Sequence, residues 1–139
     1  MSIHRKILLV EDDADDQHLF TEALHAIYPT IECLIANDGR DAIDQMNSTS
    51  PMPTLIFMDL NMPKMNGYEC MAILKKENRF RHIPIVIYTT SNKTTEFKRI
   101  TDLGAKAFLT KLTNFAILQN QIGEILEMNF WNFQIIINH

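Results

Sequence analysis

The sequence has little of what marks an extracellular, fibrous or membrane-spanning chain. Its 139 residues include only four Gly, five Pro and two Cys. The cysteines, Cys33 and Cys70, lie far apart without CxxC spacing, which predicts two buried, reduced thiols rather than a disulfide framework. No segment approaches the roughly 18 consecutive apolar residues of a membrane span. The apolar run that follows His4-Arg5-Lys6 is too short for the core of a signal peptide, so we expect a cytoplasmic protein.

A strong excess of one charge sign is also missing. The net charge is -4, with 46% hydrophobic and 22% charged residues, values typical of a soluble globular domain. Lys and Arg are scattered along the chain, which argues against a nucleic-acid surface. The His residues are dispersed without ligand spacing, so we predict no histidine metal site. The length suits one domain that buries a core of its own.

Short apolar runs alternate with amphipathic stretches along the chain. The runs predict strands at 7–10, 31–36, 55–58, 85–88 and 107–109, because each is bounded by charged or turn residues. The stretches predict helices at 14–27, from the 37–39 turn to about 46, at 67–77, at 92–103 with Gly104 as C-cap, and at 114–128. Five strand–helix units in a chain of this length indicate a parallel sheet with helices on both faces.

Polar and charged side chains follow several of these strands at the point where each strand ends. In open parallel sheets the working site lies off the carboxyl ends of the strands. The residues predicted at such ends are Glu11, Asp12, Asp59, Thr89 and Lys111. Because Asp59 ends a run that is apolar on both faces, its carboxylate is costly to hold ionised unless the protein uses it. We therefore expect the functional site at this edge.

These residue types together suit phosphoryl transfer. Three carboxylates within a few Å repel one another unless a cation compensates them, and Mg²⁺ prefers oxygen ligands. Asp12 and Asp59 could supply two ligands, with Glu11 acting through a water. Adding the ammonium of Lys111 balances the charges, so that a phosphoryl group could arrive. A carboxylate can serve as its nucleophile, and the Thr89 hydroxyl could hydrogen-bond a phosphoryl oxygen.

Four segments of the chain resemble one known family, the receiver domain of two-component response regulators. They are Ile7-Leu8-Leu9-Val10-Glu11-Asp12-Asp13, Met58-Asp59-Leu60-Asn61-Met62-Pro63-Lys64-Met65-Asn66-Gly67, Pro84-Ile85-Val86-Ile87-Tyr88-Thr89-Thr90 and Leu109-Thr110-Lys111. The similarity covers about residues 4 to 128. It implies an α/β, flavodoxin-like (βα)5 doubly wound sheet in strand order 2-1-3-4-5, with two helices on one face and three on the other. The stretch 11–17 is similar to stand-alone receivers that partner phytochrome-like and other sensor kinases.

The resemblance also implies roles for individual residues. Asp59 would be the phosphoacceptor, and Asp12, Asp59 and the backbone carbonyl of Asn61 would bind Mg²⁺. Glu11 would complete the acidic pocket. Thr89 and Lys111 would contact the phosphoryl group, and Phe108 would be the aromatic residue that changes rotamer on activation. The donor would be a phosphohistidine on a sensor histidine kinase or a phosphotransfer protein. The domain would be a switch that catalyses only its own phosphotransfer and dephosphorylation, rather than an enzyme.

Two positions depart from the family pattern. Leu112 follows the site lysine where the family usually has Pro joined by a cis bond. Since a cis bond to a non-proline residue costs about 3–4 kcal/mol, we favour a trans Lys111-Leu112 bond. Phe108 stands where the family commonly has Tyr, so any switch there must act through packing alone.

Less specific explanations exist for each candidate residue. Asp59 could cap a turn or a helix, and Lys111 could be an ordinary surface lysine. Thr90, counted from Pro84 by strand alternation, is the alternative phosphoryl contact. The remaining early acids are better explained as favourable charges in the first turn of a helix, and these are Asp13, Asp15 and Asp16.

The end of the chain is unusually apolar. We divide the sequence into a receiver domain at 1–128 and an extension at 129–139 that contains Trp131 and three consecutive Ile. The extension could continue the last helix and pack against its own domain. We favour a role in a homodimer, as a helix face or an added strand. Too few residues follow Glu127 for an output domain, so the signal would leave through a partner protein or self-association.

Two other functions fit the sequence less well. A phosphohydrolase resembling the haloacid dehalogenase family needs a second Asp two residues after the nucleophile, and Asn61 cannot donate a carboxyl proton. A flavin or nucleotide binder needs backbone amides for phosphate after the first strand, and the carboxylates between Glu11 and Asp16 would repel that phosphate.

Overall fold

The predicted alternation of strands and helices is present in the structure. A computed structural model of the protein describes residues 4–90, 94–111, 114–128 and 135–136. The strands are β1 (Lys6–Val10), β2 (Glu32–Ala36), β3 (Leu55–Met58), β4 (Ile85–Thr89), β5 (Ala107–Thr110) and β6 (Ile135–Ile136). The helices are α1 (Ala14–Ile27), α2 (Gly39–Ser48), α3 (Gly67–Lys76), α4 (Thr94–Asp102) and α5 (Phe115–Glu127).

All described strands lie in one parallel sheet with the order β2-β1-β3-β4-β5-β6. The predicted order of the first five strands is confirmed. This order reverses direction between β1 and β3, and such a switch point opens a crevice beyond the carboxyl ends of the strands. The sheet therefore has a natural site where β1, β3, β4 and β5 end.

The helices form two layers, and each layer covers one face of the sheet. On one face α1 and α5 pack through Phe20, Leu24 and Ile122 against the fully buried Leu9 and Phe57. On the other face α2, α3 and α4 pack against the alternate residues of the strands. Because these strands are buried on both faces, residues 7–10 of β1 and all of β3 form continuous apolar runs rather than alternating ones.

Side-chain caps fix where the helices begin. Asp13, Asp38 and Asn114 each accept a hydrogen bond from the backbone N–H three residues further on. Asn66 and Glu69 form a reciprocal capping box at the start of α3. Gly104, which follows α4, has φ 106°, a left-handed conformation that favours glycine. Helices α1, α2 and α5 each begin within five residues of a strand end, so their N-termini lie on the carboxyl side of the sheet.

The extension does not continue the last helix. Helix α5 ends at Glu127, and the backbone N–H of Met128 closes its final turn. The expectation that the last helix runs on beyond residue 128 is therefore wrong, and residues 129–134 and 137–139 lie outside the described residues. Instead, Ile135 and Ile136 pair with Ala107 and Phe108, so that β6 is added to the outer edge of β5 in the same chain. The sequence left open a helix face or an added strand, and it placed either of them in a homodimer.

Both cysteines are free thiols, although only one of them is fully buried. Cys70 is buried, whereas Cys33 on β2 is half-buried, which corrects the expectation of two buried thiols. Burial nevertheless raises the pKa of each thiol to about 12, so both stay protonated at neutral pH. Among the described residues, no helix has the length and apolarity needed to cross a membrane.

Candidate functional site

The carboxyl ends of β1, β3, β4 and β5 bring the predicted polar residues together. Glu11 and Asp59 each directly follow a strand, and Lys111 directly follows β5. The Lys111 ammonium donates a hydrogen bond to Asp59 Oδ2 over 3.2 Å and forms an ion pair with Glu11. Residues that are separated by as many as 100 positions therefore meet because parallel strands end at the same edge.

Asp59 is held by the backbone on both sides. Its N–H donates to the carbonyl of Val10 over 3.0 Å, which extends the pairing of β3 with β1 by one residue. The Gly67 N–H donates to the carbonyl of Leu60 over 3.0 Å. A side chain at Gly67 would place its Cβ 2.3 Å from the Asp59 carbonyl oxygen, so the close approach of α3 to the β3 end requires glycine.

Lys111 supplies a positive charge to the site. Besides Asp59 and Glu11 it contacts Asp16, since its ammonium donates to Asp16 Oδ2 over 3.0 Å. Burial alone would lower the lysine pKa, but the ion pairs with Glu11 and Asp59 raise it, so the amine stays charged. Burial raises the pKa of Glu11 to about 7 in spite of the hydrogen bond with Lys111. One ammonium ion therefore does not fully compensate these acids.

Three of the carboxylates could also hold a metal ion. Oxygen atoms of Glu11, Asp12 and Asp59 all lie within 4.8 Å of one another. Glu11 and Asp59 are buried, whereas Asp12 is exposed and keeps the cluster open to solvent. Hard divalent cations prefer oxygen ligands and retain several waters, so an all-carboxylate, partly open cluster suits such an ion. The donor set therefore fits a divalent cation.

Thr89 brings a hydroxyl to the carboxyl end of β4. It is the last residue of β4 and is fully buried, and Oγ1 has no hydrogen-bond partner among the described residues. Buried hydroxyls are normally hydrogen-bonded, so this hydroxyl can accept or donate a further hydrogen bond. Thr90 lies outside β4 and is exposed. Of these two threonines, only Thr89 is buried at the end of β4.

Phe108 lies in the middle of β5, next to β4 and beneath α4. Its ring is 1% exposed and packs edge-on against Phe97 of α4, with ring centroids 4.3 Å apart. The register places Phe108 opposite Ile87 of β4, two residues before Thr89. A movement at the end of β4 could thus reach α4 through one aromatic contact.

Two predicted features have little or no structural description. Asn61 is exposed, and its N–H lies 3.5 Å from Asp59 Oδ1, at the limit of a hydrogen bond. Leu112 lies outside the described residues, and so does the conformation of the Lys111-Leu112 bond.

Sequence reasoning missed two contacts of Lys111. Asp16 was assigned only to the helix charge, yet it is the third residue of α1 and reaches the ammonium. No local signal separated this contact from a favourable charge in the first turn of α1. Tyr88 was assigned only to β4, but the Lys111 ammonium lies 5.4 Å from its ring centroid.

The chain belongs to the response regulator receiver domain family, whose model matches residues 7–123. Among its curated relatives is the response regulator Rcp1 of Synechocystis sp., which is 34% identical over 90% of this chain and 87% of the relative. The polar-differentiation response regulator DivK of Brucella anthropi is 30% identical over 77% of this chain and 84% of that protein. The resemblance inferred from the four segments is confirmed.

Solved structures of relatives share this fold. The phosphorylated cyanobacterial phytochrome response regulator RcpA superimposes with a TM-score of 0.80 and 31% identity, covering 88% of this chain and 91% of RcpA. The Mn²⁺-bound form of Rcp1 also gives a TM-score of 0.80, with 33% identity and coverage of 90% and 96%. The chain is therefore a phosphorylation-dependent signalling switch of two-component systems, in which receiver domains accept phosphoryl groups from histidine kinases. The phosphohydrolase alternative is not favoured.

Proposed function

We propose that Asp59 is the residue that accepts the phosphoryl group. The observation that carries this proposal is the pairing of Lys111 with both Asp59 and Glu11 at the ends of β3 and β1, next to β4, which ends in Thr89. An oxygen of the Asp59 carboxylate would attack the phosphorus of a phosphohistidine. The new P–O bond forms as the P–N bond breaks, and the electron pair of that bond remains on the imidazole nitrogen.

Each neighbouring group then has a distinct task. The Lys111 ammonium would exchange its contact with Asp59 for one with a phosphoryl oxygen, and the Thr89 hydroxyl would donate to another. Mg²⁺ held by Asp12, Asp59 and the Asn61 carbonyl would neutralise charge on the phosphoryl oxygens when bound. Glu11 would hold Lys111 and complete the acidic pocket. Hydrolysis of the acyl phosphate within the same site would reset the switch.

Removal of divalent cations tests the metal requirement. With acetyl phosphate and Mg²⁺, intact-mass spectrometry should show a gain of one phosphoryl group per chain. With excess EDTA we expect a rate at least about tenfold lower, because transfer onto a carboxylate depends on charge neutralisation. Adding Mg²⁺ back should restore the rate. An equal rate in EDTA would contradict a role for the acidic cluster in holding a cation.

The phosphoryl signal would leave through β4, β5 and α4. Movement of Thr89 toward the phosphoryl group vacates space next to β5, and Phe108 can follow only by packing because it has no hydroxyl. Phe108 contacts Phe97, so the rearrangement would change the surface of α4. The proposed partners are a sensor histidine kinase or a histidine phosphotransfer protein as donor, and a protein target as receiver. A cytoplasmic location stays a prediction from the sequence.

The extension at 129–139 would support a homodimer outside the receiver domain at 1–128. The outer edge of β5 already accepts Ile135 and Ile136 of its own chain. An edge that accepts a strand within one chain can accept the same strand from a second copy, as in domain swapping. The support for the dimer is therefore the pairing of β6 with β5, in which a second copy could supply the β6 strand.

Truncation tests the dimer. We expect light scattering to give twice the chain mass for the full protein and a single chain mass for a protein that ends at Met128, which keeps the final turn of α5. As a second variant, the full-length chain with Ile135→Pro and Ile136→Pro removes the backbone donors of β6 and should also be monomeric. An unchanged oligomeric state in both variants would rule out this role of the extension.

A further inference from the structure

The Lys111 ammonium contacts three carboxylates, and one of them, Asp16, has no role in the proposed phosphoryl transfer. Its partners are Glu11, Asp16 and Asp59, and only Asp59 accepts the phosphoryl group in the function proposed above. Asp16 belongs to α1 rather than to a strand end, and its oxygen lies 3.0 Å from the ammonium nitrogen. The role of this contact is not explained by metal binding, because Asp16 is not part of the cluster of close carboxylate oxygens.

The position of Asp16 is fixed by the start of α1. Asp13 caps the helix, and its side chain accepts a hydrogen bond from the Asp16 N–H over 2.9 Å. The Asp13 N–H in turn donates to Glu11 Oε2 over 3.1 Å. The loop between β1 and α1 is therefore fastened to the buried Glu11, and this places the Asp16 carboxylate on the solvent side of Lys111.

We propose that Asp16 is a positioning residue that sets the resting place of the Lys111 ammonium and thereby slows phosphorylation of Asp59. This inference depends on the proposed role of Asp59. The ammonium has three N–H donors, and in the resting protein its three carboxylate partners, Glu11, Asp16 and Asp59, occupy them, so none is left for an arriving phosphoryl oxygen. The hydrogen bond to Asp16 must loosen before Lys111 can make its full contact with the phosphoryl group.

The charge of Asp16 acts in the same direction. Glu11, Asp12, Asp16 and Asp59 supply four carboxylates against the single ammonium of Lys111. With a divalent cation bound, one negative charge stays uncompensated, and it repels an incoming phosphoryl donor. The same charge favours the cation, because Asp16 shares the ammonium and so leaves Glu11 and Asp59 more negative.

Asp16→Asn is therefore expected to speed up phosphorylation and to weaken Mg²⁺ binding. At saturating Mg²⁺ the rate of phosphorylation by acetyl phosphate should rise about threefold to fivefold, while the dissociation constant for Mg²⁺ should rise by a similar factor. The effects are modest because the Asp16 side chain is 37% exposed and solvent screens its charge. Damage to the fold would lower both the rate and the affinity, so it cannot imitate this pair of changes.

The experiment compares three variants at about pH 8, above the Glu11 pKa of about 7. The rate is followed by intact mass, and Mg²⁺ binding without phosphodonor is followed by calorimetry. Asp15→Asn is the matched control, since it removes a neighbouring acid from the same helix turn without a contact to Lys111; both values should stay at the parent level. Asp16→Glu keeps the charge and should lie close to the parent.

A double variant tests whether Asp16 acts through Lys111. In a Lys111→Gln background, Asp16→Asn should change the Mg²⁺ dissociation constant by clearly less than in the parent, because the ammonium that it positions is gone. Equal changes in both backgrounds, or an Asp16→Asn variant that matches Asp15→Asn, would overturn the inference. Failure of the parent protein to gain a phosphoryl group would instead overturn the proposed function, so the two failures are distinguishable.

Discussion

Asp59→Asn is expected to abolish the gain of a phosphoryl group from acetyl phosphate and Mg²⁺. The amide lacks the anionic oxygen that attacks phosphorus, and it is a much weaker metal ligand. The variant should remain folded, because Asn keeps the shape of Asp59 and removes the repulsion with the buried Glu11. Intact mass over a time course measures the loss, and thermal melting checks the fold.

The matched control for this substitution is Asp15→Asn, which changes an exposed acid at the same end of the molecule. It should gain the phosphoryl group at the parent rate. If Asp59→Asn still gained one phosphoryl group while its melting curve stayed cooperative, another residue would be the acceptor.

Lys111→Gln is expected to lower both activity and metal-free stability. Removing one ammonium from a buried group of acids costs about 3 kcal/mol of unfolding free energy, since Glu11 and Asp59 lose their compensation. Mg²⁺ should restore most of that loss, and it should bind more tightly than to the parent because the competing cation is gone. Phosphorylation should fall about 100-fold, as one fixed positive charge is missing from the transition state.

Denaturant unfolding in EDTA and in Mg²⁺ measures the stability effect, and Lys98→Gln serves as the control. Lys98 is an exposed lysine paired with Asp102 on the surface of α4, so its loss should change stability by less than about 0.5 kcal/mol under both conditions. A Lys111→Gln protein that Mg²⁺ stabilises no more than the parent would show that the lysine and the cation do not share the same carboxylates.

Much of the fold followed from local signals in the sequence. The runs at 55–58 and 7–10 are apolar at every position, a pattern typical of strands that are buried on both faces. In the structure both runs are buried and lie inside the sheet, with a strand on either side. The convergence of Glu11, Asp59 and Lys111 followed from one rule, that parallel strands end at a common edge. No tertiary contact had to be known for this inference.

The contacts that the sequence did not predict all depend on geometry across elements. Asp16 reaches Lys111 because the capped turn at Asp13 rotates the start of α1 over the site, and a favourable helix charge explained the same residue equally well. Tyr88 lies near the ammonium because β4 and β5 pair so that Tyr88 stands opposite Leu109, two residues before Lys111. Strand β6 pairs with the β5 edge of its own chain. Local sequence patterns do not distinguish this pairing from one with the β5 edge of a second copy.

The most direct test of the phosphoacceptor assignment is to reduce the phosphorylated protein with borohydride and map the product by peptide mass spectrometry. Borohydride converts an aspartyl phosphate to homoserine, which records where the acyl phosphate formed. The structure predicts homoserine at position 59 alone, beside the lysine amine that lies 3.2 Å from that carboxylate. Homoserine at position 12, 13 or 16 with an unmodified Asp59 would contradict the account.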